Sequence, residues 1–478
     1  MDDLERTFSG GKTGGEVPLR NRVQSLFIKT YGCQMNEYDS EKICTLLAGS
    51  HVISDRLDDA DVVFINTCSV RDKAEQKFIS LLGTLRDFKL KKPSAVIGVG
   101  GCVAQAEGTT IIKKYPFVDF VVGTHNLSLV PSIIAGVRDG RRRQVVVDYR
   151  EEWEDLPDGF LPDGEVVESH TPQSSALYNV RALVAVQRGC SKNCSFCVVP
   201  KTRGSEVSRL PNEIERELRL KVRQGAREVL LLGQTVNSYG RDLSPRQSFE
   251  DLIRRIAEID GLQRIRFTSP HPQEVRPAFM KLFEEIPKLC RHIHLPLQSG
   301  SDRILKLMNR NYRVKRYLDI VNELKQYCPD IAISTDIIVG FPTETDADFE
   351  QTLEVMRTVS FNFSYSFSYS RRPGTAAASD FDISEEVRPE IAKDRLLTLQ
   401  KIQDEMNLAC NSRMVGNCVQ VLVEGEGKYG SGTVRGRTSQ NAWVELSNYR
   451  ALAGALVDVR ITHASEHGMR GDALNMPG

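Results

Sequence analysis

Short apolar runs alternate with amphipathic segments along most of this 478-residue chain. In the first third, each apolar run is followed by a turn and a segment with helical periodicity; the runs are residues 26–28, 61–65, 94–99 and 117–122. Strands that alternate with helices in this way are typical of a parallel α/β sheet. We therefore predict an N-terminal α/β domain over residues 23–150, preceded by a mobile polar tail at residues 1–22.

The same alternation returns in the middle of the chain. Six strands are predicted there, at residues 180–186, 228–232, 264–268, 292–297, 332–339 and 362–369. Helical segments such as 212–224 and 248–259 separate them, which favours a partial (βα)6 barrel over residues 177–383. Residues 151–176, which are acidic and lack periodicity, are interpreted as a linker.

The pattern changes again near the end of the chain. Residues 384–410 predict one linking helix, because their apolar positions follow a helical period. Residues 411–478 contain short, Val-rich, glycine-punctuated strands at 418–423, 432–435, 442–446 and 455–461. This spacing favours a small C-terminal β-barrel. The expected fold class is α/β, with a parallel N-terminal domain, a partial barrel and this third unit.

Composition excludes several classes of protein. Lys plus Arg (63) balance Asp plus Glu (63), so no global field draws the chain towards nucleic acid or a membrane. No apolar run approaches the roughly 20 residues that cross a bilayer, and the first residues lack a secretory segment. We expect a cytoplasmic protein without membrane contact. In such a compartment, clustered cysteines among the 11 present indicate metal binding or catalysis.

Three cysteines form a Cys-x3-Cys-x2-Cys loop directly after the first strand of the predicted barrel, at Cys190, Cys194 and Cys197. Thiolates in one tight loop can hold a [4Fe–4S] cluster by three corners, since such clusters bind cysteine sulfur and no fourth cysteine is near. The fourth iron would be open to a small chelating ligand. A zinc site with a distant fourth ligand, or three unrelated buried thiols, are the alternatives.

A second trio of cysteines is dispersed along the N-terminal domain. Cys33, Cys68 and Cys102 each follow an apolar strand and precede a helical segment, at intervals of 35 and 34 residues. The carboxyl ends of parallel strands meet at one edge of an open sheet, where ligands bind. We therefore predict a second three-cysteine metal site, although each cysteine taken singly could be a small buried hydrophobic residue.

These motifs resemble those of the radical S-adenosylmethionine methylthiotransferases. The resemblance covers residues 25–470 and rests on segments 29–36, 66–71, 101–105, 190–197 and 343–345. Segment 367–375, with its Arg-Pro-Gly-Thr, resembles the branch that acts on tRNA; whether Arg371 or Arg372 contacts substrate is left open. The resemblance implies insertion of a methylthio group at carbon 2 of isopentenylated adenosine at position 37 of tRNA.

Other functions stay open beside this one. Within the family, the alternatives are methylthiolation of threonylcarbamoyl-adenosine in tRNA or of a ribosomal-protein aspartate. From another class, the alternative is an iron–sulfur electron carrier or scaffold with an RNA-binding tail.

The resemblance also implies cofactors and site residues. Cys190, Cys194 and Cys197 match the ligands of a [4Fe–4S] cluster that binds S-adenosylmethionine, and the dispersed trio matches those of an auxiliary [4Fe–4S] cluster that carries sulfur. The residues expected to contact S-adenosylmethionine are Phe196, Gly233, Gln234, Asn237, Gln298, Ser299 and Gly340. No catalytic side chain beyond the cluster ligands is expected, because the aromatic C–H bond is beyond the reach of an ordinary base.

The implied partners are a tRNA anticodon stem-loop with isopentenyladenosine, an electron donor such as flavodoxin or ferredoxin, and a sulfur or iron–sulfur carrier. The C-terminal unit resembles a TRAM-like RNA-binding barrel. At zero net charge, RNA contacts must come from local patches, for which the candidates are Lys201, Arg203, Arg435 and Arg437. Most of the aromatic face of strand 361–370, and the histidines His292 and His294, are expected in the core, with base stacking by Tyr369 as an alternative.

Overall fold

The computed structural model describes residues 23–69, 72–154, 156, 180–427, 433–447 and 453–474. The predicted tail at 1–22 and most of the predicted linker at 151–176 lie outside these residues. The expected fold class is confirmed in each of its three parts. Among the described residues, no helix combines the length and apolar character that a membrane span requires.

The N-terminal part is a six-stranded sheet in the order β2-β1-β3-β4-β5-β6, and every neighbouring pair is parallel. Its strands are β1 (Gln24–Thr30), β2 (His51–Ile53), β3 (Val62–Thr67), β4 (Val96–Gly101), β5 (Phe120–Val122) and β6 (Gln144–Val146). Every residue of β3 and β4 is buried, as expected for central strands covered on both faces. The covering helices are α1 (Gln34–Leu47), α2 (Asp72–Lys91), α3 (Cys102–Lys114) and α4 (Val130–Arg138).

The central part contains all six predicted strands. They form two parallel sheets of three strands, in the orders β11-β10-β7 and β12-β13-β14, with one parallel bridge from Ile265 to Leu289 between them. The strands are β7 (Arg181–Ala185), β10 (Glu228–Leu232), β11 (Arg264–Phe267), β12 (His292–His294), β13 (Ala332–Val339) and β14 (Phe363–Ser368). Since β7 and β14 are the two outer strands, the partial barrel is open between them.

The strands alternate with helices, most of which cover the outside of this partial barrel. They are α5 (Val199–Arg203), which instead packs against α3, α6 (Pro211–Arg223), α7 (Phe249–Ala257), α8 (Pro277–Glu285), α9 (Asp302–Leu307), α10 (Val314–Tyr327), α11 (Asp346–Val359) and α12 (Ala376–Asp380). Two short strands, β8 (Gln187–Arg188) and β9 (Val207–Ser208), pair antiparallel and close the base of the segment that carries the cysteine loop. The apolar faces of the helices and the outward faces of the strands form the largest apolar core of the described chain.

The C-terminal part begins with the long helix α13 (Pro389–Ser412), which leads into a closed five-stranded barrel in the order β15-β16-β17-β19-β18. Its strands are β15 (Cys418–Glu426), β16 (Thr433–Thr438), β17 (Trp443–Ser447), β18 (Leu456–Ser465) and β19 (Gly468–Ala473). Two arginines of β11 hold this barrel against the central part of the chain. The guanidinium groups of Arg264 and Arg266 donate to four of its backbone carbonyls.

Candidate functional site

One cavity of about 780 Å³ lies where the three parts of the chain meet. Its wall includes Cys33 and Cys102 at the edge of the N-terminal sheet, the three cysteines of the 190–197 loop, and Arg437 and Trp443 of the C-terminal barrel. The local cysteine loop and two of the three dispersed cysteines therefore open onto the same chamber, although they belong to different parts of the fold.

The dispersed trio lies at the carboxyl ends of three adjacent parallel strands, β1, β3 and β4. Cys33 precedes α1, Cys68 follows β3, and Cys102 is the first residue of α3. Gly32 has a φ of +129°, and a Cβ built there would lie 2.5 Å from Cβ and 3.0 Å from Sγ of Cys68. Cys68 thus packs directly against the backbone beside Cys33, in an approach that only glycine permits.

Two buried asparagines tie the loops of Cys33 and Cys68 together. Asn36 Nδ2 donates to Asn66 Oδ1 (2.9 Å) and to the Thr67 carbonyl (2.7 Å), and Asn66 Nδ2 donates back to the Asn36 carbonyl (2.8 Å). Both side chains are fully buried. Neither was predicted as a site residue, although both lie in segments that carried the family resemblance.

Each sulfur of the 190–197 loop has a hydrogen-bond donor nearby. The backbone amides of Lys192 and Val199 donate to Cys190 and Cys197, each at 3.4 Å, and Arg310 Nη1 donates to Cys194 at 3.3 Å. Burial raises the pKa of Cys197 to about 12, so the thiol is protonated near pH 7 unless a nearby positive charge stabilises the thiolate. A bound metal supplies such a charge.

The donor set fits iron–sulfur clusters better than zinc. Among the described residues, no three His, Cys, Asp or Glu side chains converge tightly enough to hold a single metal ion. A structural zinc site requires four ligands around one centre, whereas a cluster takes each cysteine on a different iron. The arrangement therefore disfavours the zinc alternative.

Arg203 is not the surface cation that the sequence suggested. Its side chain is only 5% exposed, and Nη2 donates to Asp39 Oδ2 (2.7 Å) and to Asn36 Oδ1 (3.2 Å). Burial raises the pKa of Cys102, and Arg203 opposes this rise through its charge and a hydrogen bond to the thiol. Because Arg203 ends α5, just after Cys197, one side chain links the cysteine loop to the dispersed trio.

The other three predicted RNA contacts differ from one another in exposure and in their neighbours. Lys201 is exposed, as expected. Arg437 is half-buried in the cavity wall, where it pairs with Glu424 (3.4 Å) and lies 4.0 Å from the centre of the Trp443 ring. Arg435 lies 4.9 Å from the same ring. The aromatic ring thus holds both arginines at the junction with the central barrel.

Four of the seven residues predicted to contact S-adenosylmethionine line the cavity: Phe196, Gly233, Gln234 and Gln298. The buried Oε1 of Gln234 has no hydrogen-bond partner among the described residues, which leaves an acceptor for a ligand's ammonium group. The carboxyl ends of β10 and β12 therefore present polar side chains near the cysteine loop.

The remaining three, Asn237, Ser299 and Gly340, do not line that cavity. Asn237 exchanges two hydrogen bonds with the backbone of His271, at 2.9 and 3.0 Å. Ser299 is fully buried, and Gly340 donates its amide to Glu344. Direct contact of these residues with S-adenosylmethionine stays a prediction, since the contacts described are internal to the protein.

The expectation that the aromatic face of 361–370 packs in the core is wrong for two residues. Phe361 is fully buried, but Phe363 and Tyr365 are 44% and 42% exposed and line the cavity. Tyr369 packs edge-on against Phe341 instead of facing open space. His292 and His294 also line the cavity, and both rings are hydrogen bonded to Ser334 Oγ.

Sequence reasoning missed two further wall residues and left one arginine open. Arg310 and His271 line the cavity, and burial lowers the pKa of His271 to about 3, so its ring is neutral. The only sequence signal for Arg310 is its position beside the apolar segment that ends at Met308. Arg371 pairs with Glu386 and donates to the Phe381 carbonyl, so its contacts are internal.

Comparisons with known proteins agree with this site. The profile of the radical SAM superfamily matches residues 184–356, and that of uncharacterized protein family UPF0004 matches residues 25–123. The chain is 43% identical over 455 residues to the tRNA-2-methylthio-N(6)-dimethylallyladenosine synthase of Syntrophobacter fumaroxidans, covering 95% of this chain and 96% of that one. It is 44% identical over 448 residues to the synthase of the same name from Geobacter metallireducens, covering 94% and 98%.

A solved structure shares the fold. The radical S-adenosylmethionine methyltransferase TsrM from Kitasatospora setae aligns with a TM-score of 0.57 at 12% identity, over 75% of each chain. Identity this low supports the likeness of the fold alone.

A partial barrel with a Cys-x3-Cys-x2-Cys loop, matched by the superfamily profile, defines a radical S-adenosylmethionine enzyme. Within that class, the chain belongs to the methylthiotransferase family, since its similarity to both synthases extends over nearly its whole length. S-adenosylmethionine is the cofactor that defines this class of enzyme. The electron-carrier alternative is not favoured.

Proposed function

We propose that this enzyme inserts a methylthio group at carbon 2 of isopentenylated adenosine at position 37 of tRNA. The observation that carries the proposal is that the three cysteines of the 190–197 loop and two of the dispersed trio, Cys33 and Cys102, border one chamber, with Cys68 packed directly behind Gly32. The relatives that match almost the full chain are named for synthesis of the corresponding methylthio nucleoside. This favours the isopentenylated substrate over threonylcarbamoyl-adenosine or a ribosomal protein.

In this proposal, Cys190, Cys194 and Cys197 hold the cluster that binds S-adenosylmethionine, and Cys33, Cys68 and Cys102 hold the auxiliary cluster. When bound, these groups supply radical abstraction of the hydrogen at carbon 2 and the transfer of sulfur and methyl to that carbon. The protein holds the sulfurs in place through Arg310, Arg203 and backbone amides. It also encloses the reaction in a chamber between its three parts, which limits access of water.

The predicted cofactor contacts fall into two groups, those that line the cavity and those that lie behind its wall. Gln234 would accept a hydrogen bond from the ammonium group of S-adenosylmethionine, because its oxygen is buried and has no partner among the described residues. Phe196, Gly233 and Gln298 would line the rest of that subsite. Asn237, Ser299 and Gly340 would shape the loops behind it, since they are bonded or packed inside the protein.

The proposal also requires partners. The reaction consumes an electron, which a flavodoxin or ferredoxin would supply, and sulfur, which a sulfur or iron–sulfur carrier would replenish. Because its substrate is tRNA, the enzyme would work in the cytoplasm. The anticodon stem-loop would contact the C-terminal barrel, a TRAM-like unit whose Arg435 and Arg437 lie beside Trp443.

Iron analysis of cysteine variants tests the assignment of the two sites. Replacement of Cys33, Cys68 and Cys102 by Ala should remove about half of the iron and sulfide after anaerobic reconstitution. The variant should still form 5′-deoxyadenosine from S-adenosylmethionine but should not modify tRNA. The matched control is Cys44→Ala, a cysteine of the same part of the fold that lies outside the cavity wall, which should keep all of its iron.

Mass spectrometry of tRNA nucleosides tests the substrate. The enzyme should convert isopentenyladenosine to its methylthio form and leave threonylcarbamoyl-adenosine unchanged. Modification of the latter alone, or retention of full iron in the triple variant, would contradict the proposal.

A further inference from the structure

The open side of the partial barrel is bordered by β7 and β14. Within the described residues, β7 pairs only with β10 and β14 pairs only with β13. A closed barrel would have no such gap. Side chains on the inner face of β14 therefore stand at the entrance through which a large substrate can present one nucleotide to the chamber.

Two aromatic side chains occupy this border. Phe363 and Tyr365 are two residues apart on one strand, so they share a face, and their ring centroids are 4.7 Å apart in an edge-to-face arrangement. Among the large apolar side chains that are exposed in the described chain, these two are the ones that line the cavity. Exposed aromatic surface inside a binding cavity is characteristic of ligand contact.

The surroundings of this aromatic pair are polar. The β13 partners of Phe363 and Tyr365 are Ser334 and Asp336, and His294 lies 3.3 Å from the Asp336 carboxylate. Asn362 and Asn407 complete the nearby wall. The site is thus a small apolar patch with a polar border, which suits an apolar substituent carried on a polar molecule.

We propose that Phe363 and Tyr365 bind the dimethylallyl group on N6 of the substrate adenosine. This inference rests on the proposed function, in which carbon 2 of the adenine faces the cysteines at the carboxyl ends of the strands. The N6 substituent leaves the ring from a different carbon, so it can extend along the strands towards β14. It is the apolar part of an otherwise polar nucleoside, and burial against two rings removes it from water.

The same patch discriminates against threonylcarbamoyl-adenosine, the alternative tRNA substrate. A threonylcarbamoyl group carries a carboxylate, which at this patch would lie against the two aromatic rings and next to the Asp336 carboxylate. Burial of a charge against apolar rings and beside a like charge is costly. The aromatic pair is therefore a specificity determinant rather than a general RNA contact.

Binding measurements with two RNAs isolate this contribution. Anticodon stem-loops that differ only in the N6-dimethylallyl group are titrated against the reconstituted full chain by fluorescence anisotropy. The wild-type enzyme should bind the dimethylallyl RNA about tenfold or more tightly than the unmodified RNA. In Phe363→Ala and Tyr365→Ala, this ratio should fall towards one, while affinity for the unmodified RNA changes by less than about twofold.

Two control variants complete the design. Tyr365→Phe keeps the ring and should keep the ratio. Ile79→Ala removes another exposed apolar side chain, 48% exposed on α2 and outside the cavity wall, and should change neither affinity.

The other possible results contradict either this inference or the proposed function. Equal weakening of both RNAs by the alanine variants would mean that the pair contacts some other part of the RNA, and it would overturn this inference. An unchanged ratio would overturn it as well. A wild-type ratio near one would overturn it too, whereas the proposed function fails only if the tRNA nucleosides contain no methylthio form of isopentenyladenosine, so the two failures are distinguishable.

Discussion

At Arg203 a guanidinium group is buried between cysteine sulfur and a carboxylate. The charge is compensated by Asp39 at 2.7 Å, and Asn36 accepts a second hydrogen bond. A cation placed here stabilises negative charge on the dispersed cysteines, and the negative charge of a cluster increases on reduction. The residue is thus suited to hold the auxiliary site in position and to set its redox properties.

Arg203→Gln should lower the reduction potential of the auxiliary cluster, because it removes a positive charge that favours the reduced form. Arg203→Lys keeps the charge and should restore part of the potential. The measurement is a redox titration followed by electron paramagnetic resonance, in a background in which Cys190, Cys194 and Cys197 are Ala so that one cluster remains.

The control for the loss of a buried arginine is Arg209→Gln. Arg209 is 1% exposed and pairs with the Glu217 carboxylate. It should destabilise the protein without moving the potential. Equal potentials in Arg203→Gln and the parent would contradict the role given to Arg203.

Gly32 provides a second prediction at the scale of one residue. Gly32→Ala forces a Cβ to within 2.5 Å of Cys68 in a backbone conformation that disfavours side chains. We expect loss of about half the iron per chain, with 5′-deoxyadenosine formation retained. Gly83→Ala is the control, because a Cβ there meets nothing within 4 Å, and it should keep all of the iron. Full iron in Gly32→Ala would show that the approach of Cys68 to Gly32 is not essential.

At the scale of elements, local periodicity was sufficient to predict most of the fold. The apolar runs that became β1, β3, β4 and the six central strands are long enough to be recognised without their neighbours. Five strands were missed: β2, β6, β8 and β9 have two or three residues each, and β19 contains Met469 as its one large apolar side chain. Such strands form because a neighbouring strand supplies their hydrogen-bond partners, and the local sequence pattern carries no information about that neighbour.

The candidate site was predictable only in part, for the same reason. The cysteine trios could be found because each cysteine directly follows a recognisable strand. Arg203 and Phe363 were misjudged because their surroundings come from distant segments, Asp39 in the first case and the open side of the barrel in the second. Asn36 gave no signal of its own, since a single asparagine in the first turn of a helix does not by itself indicate a site.

The loop between β5 and α4 carries a histidine that makes stability depend on pH. Burial lowers the pKa of His125 to about 4, below the value near 6.5 of an unfolded histidine. The unfolded chain therefore binds more protons below that value, so stabilisation by neutral His125 is complete above about pH 6.5 and is lost as the pH falls towards 4. Urea midpoints measured across this range should fall less steeply in His125→Gln than in the wild type. His463→Gln, at an exposed histidine, should follow the wild-type curve; identical curves for all three proteins would contradict the prediction.

At the scale of the whole molecule, the chamber depends on how the N-terminal sheet docks on the partial barrel. Glu217 of α6 is fully buried at this junction, where it accepts a hydrogen bond from Tyr38 (3.0 Å) and pairs with Lys42 (3.1 Å) and Arg209. Burial alone would raise the pKa of Glu217, but Lys42, Arg209 and Lys221 together lower it below its usual value. The carboxylate is therefore charged, and it is shared by cations from both sides of the junction.

Glu217→Gln should loosen this junction, because it leaves the buried cations without their shared carboxylate. Removal of one partner from a buried ion pair typically costs about 3–5 kcal/mol, so the free energy of unfolding should fall by that order. The radius of gyration from small-angle scattering should increase as the N-terminal sheet separates from the barrel, and tRNA modification should fall because the two cysteine trios no longer face each other.

Glu215→Gln is the matched control on the same helix: its partners Arg219 and Arg255 are about half exposed, and surface pairs contribute at most about 1 kcal/mol. A Glu217→Gln protein as stable and as compact as the Glu215→Gln control would show that packing of α1 against β7, rather than this ion network, holds the chamber together.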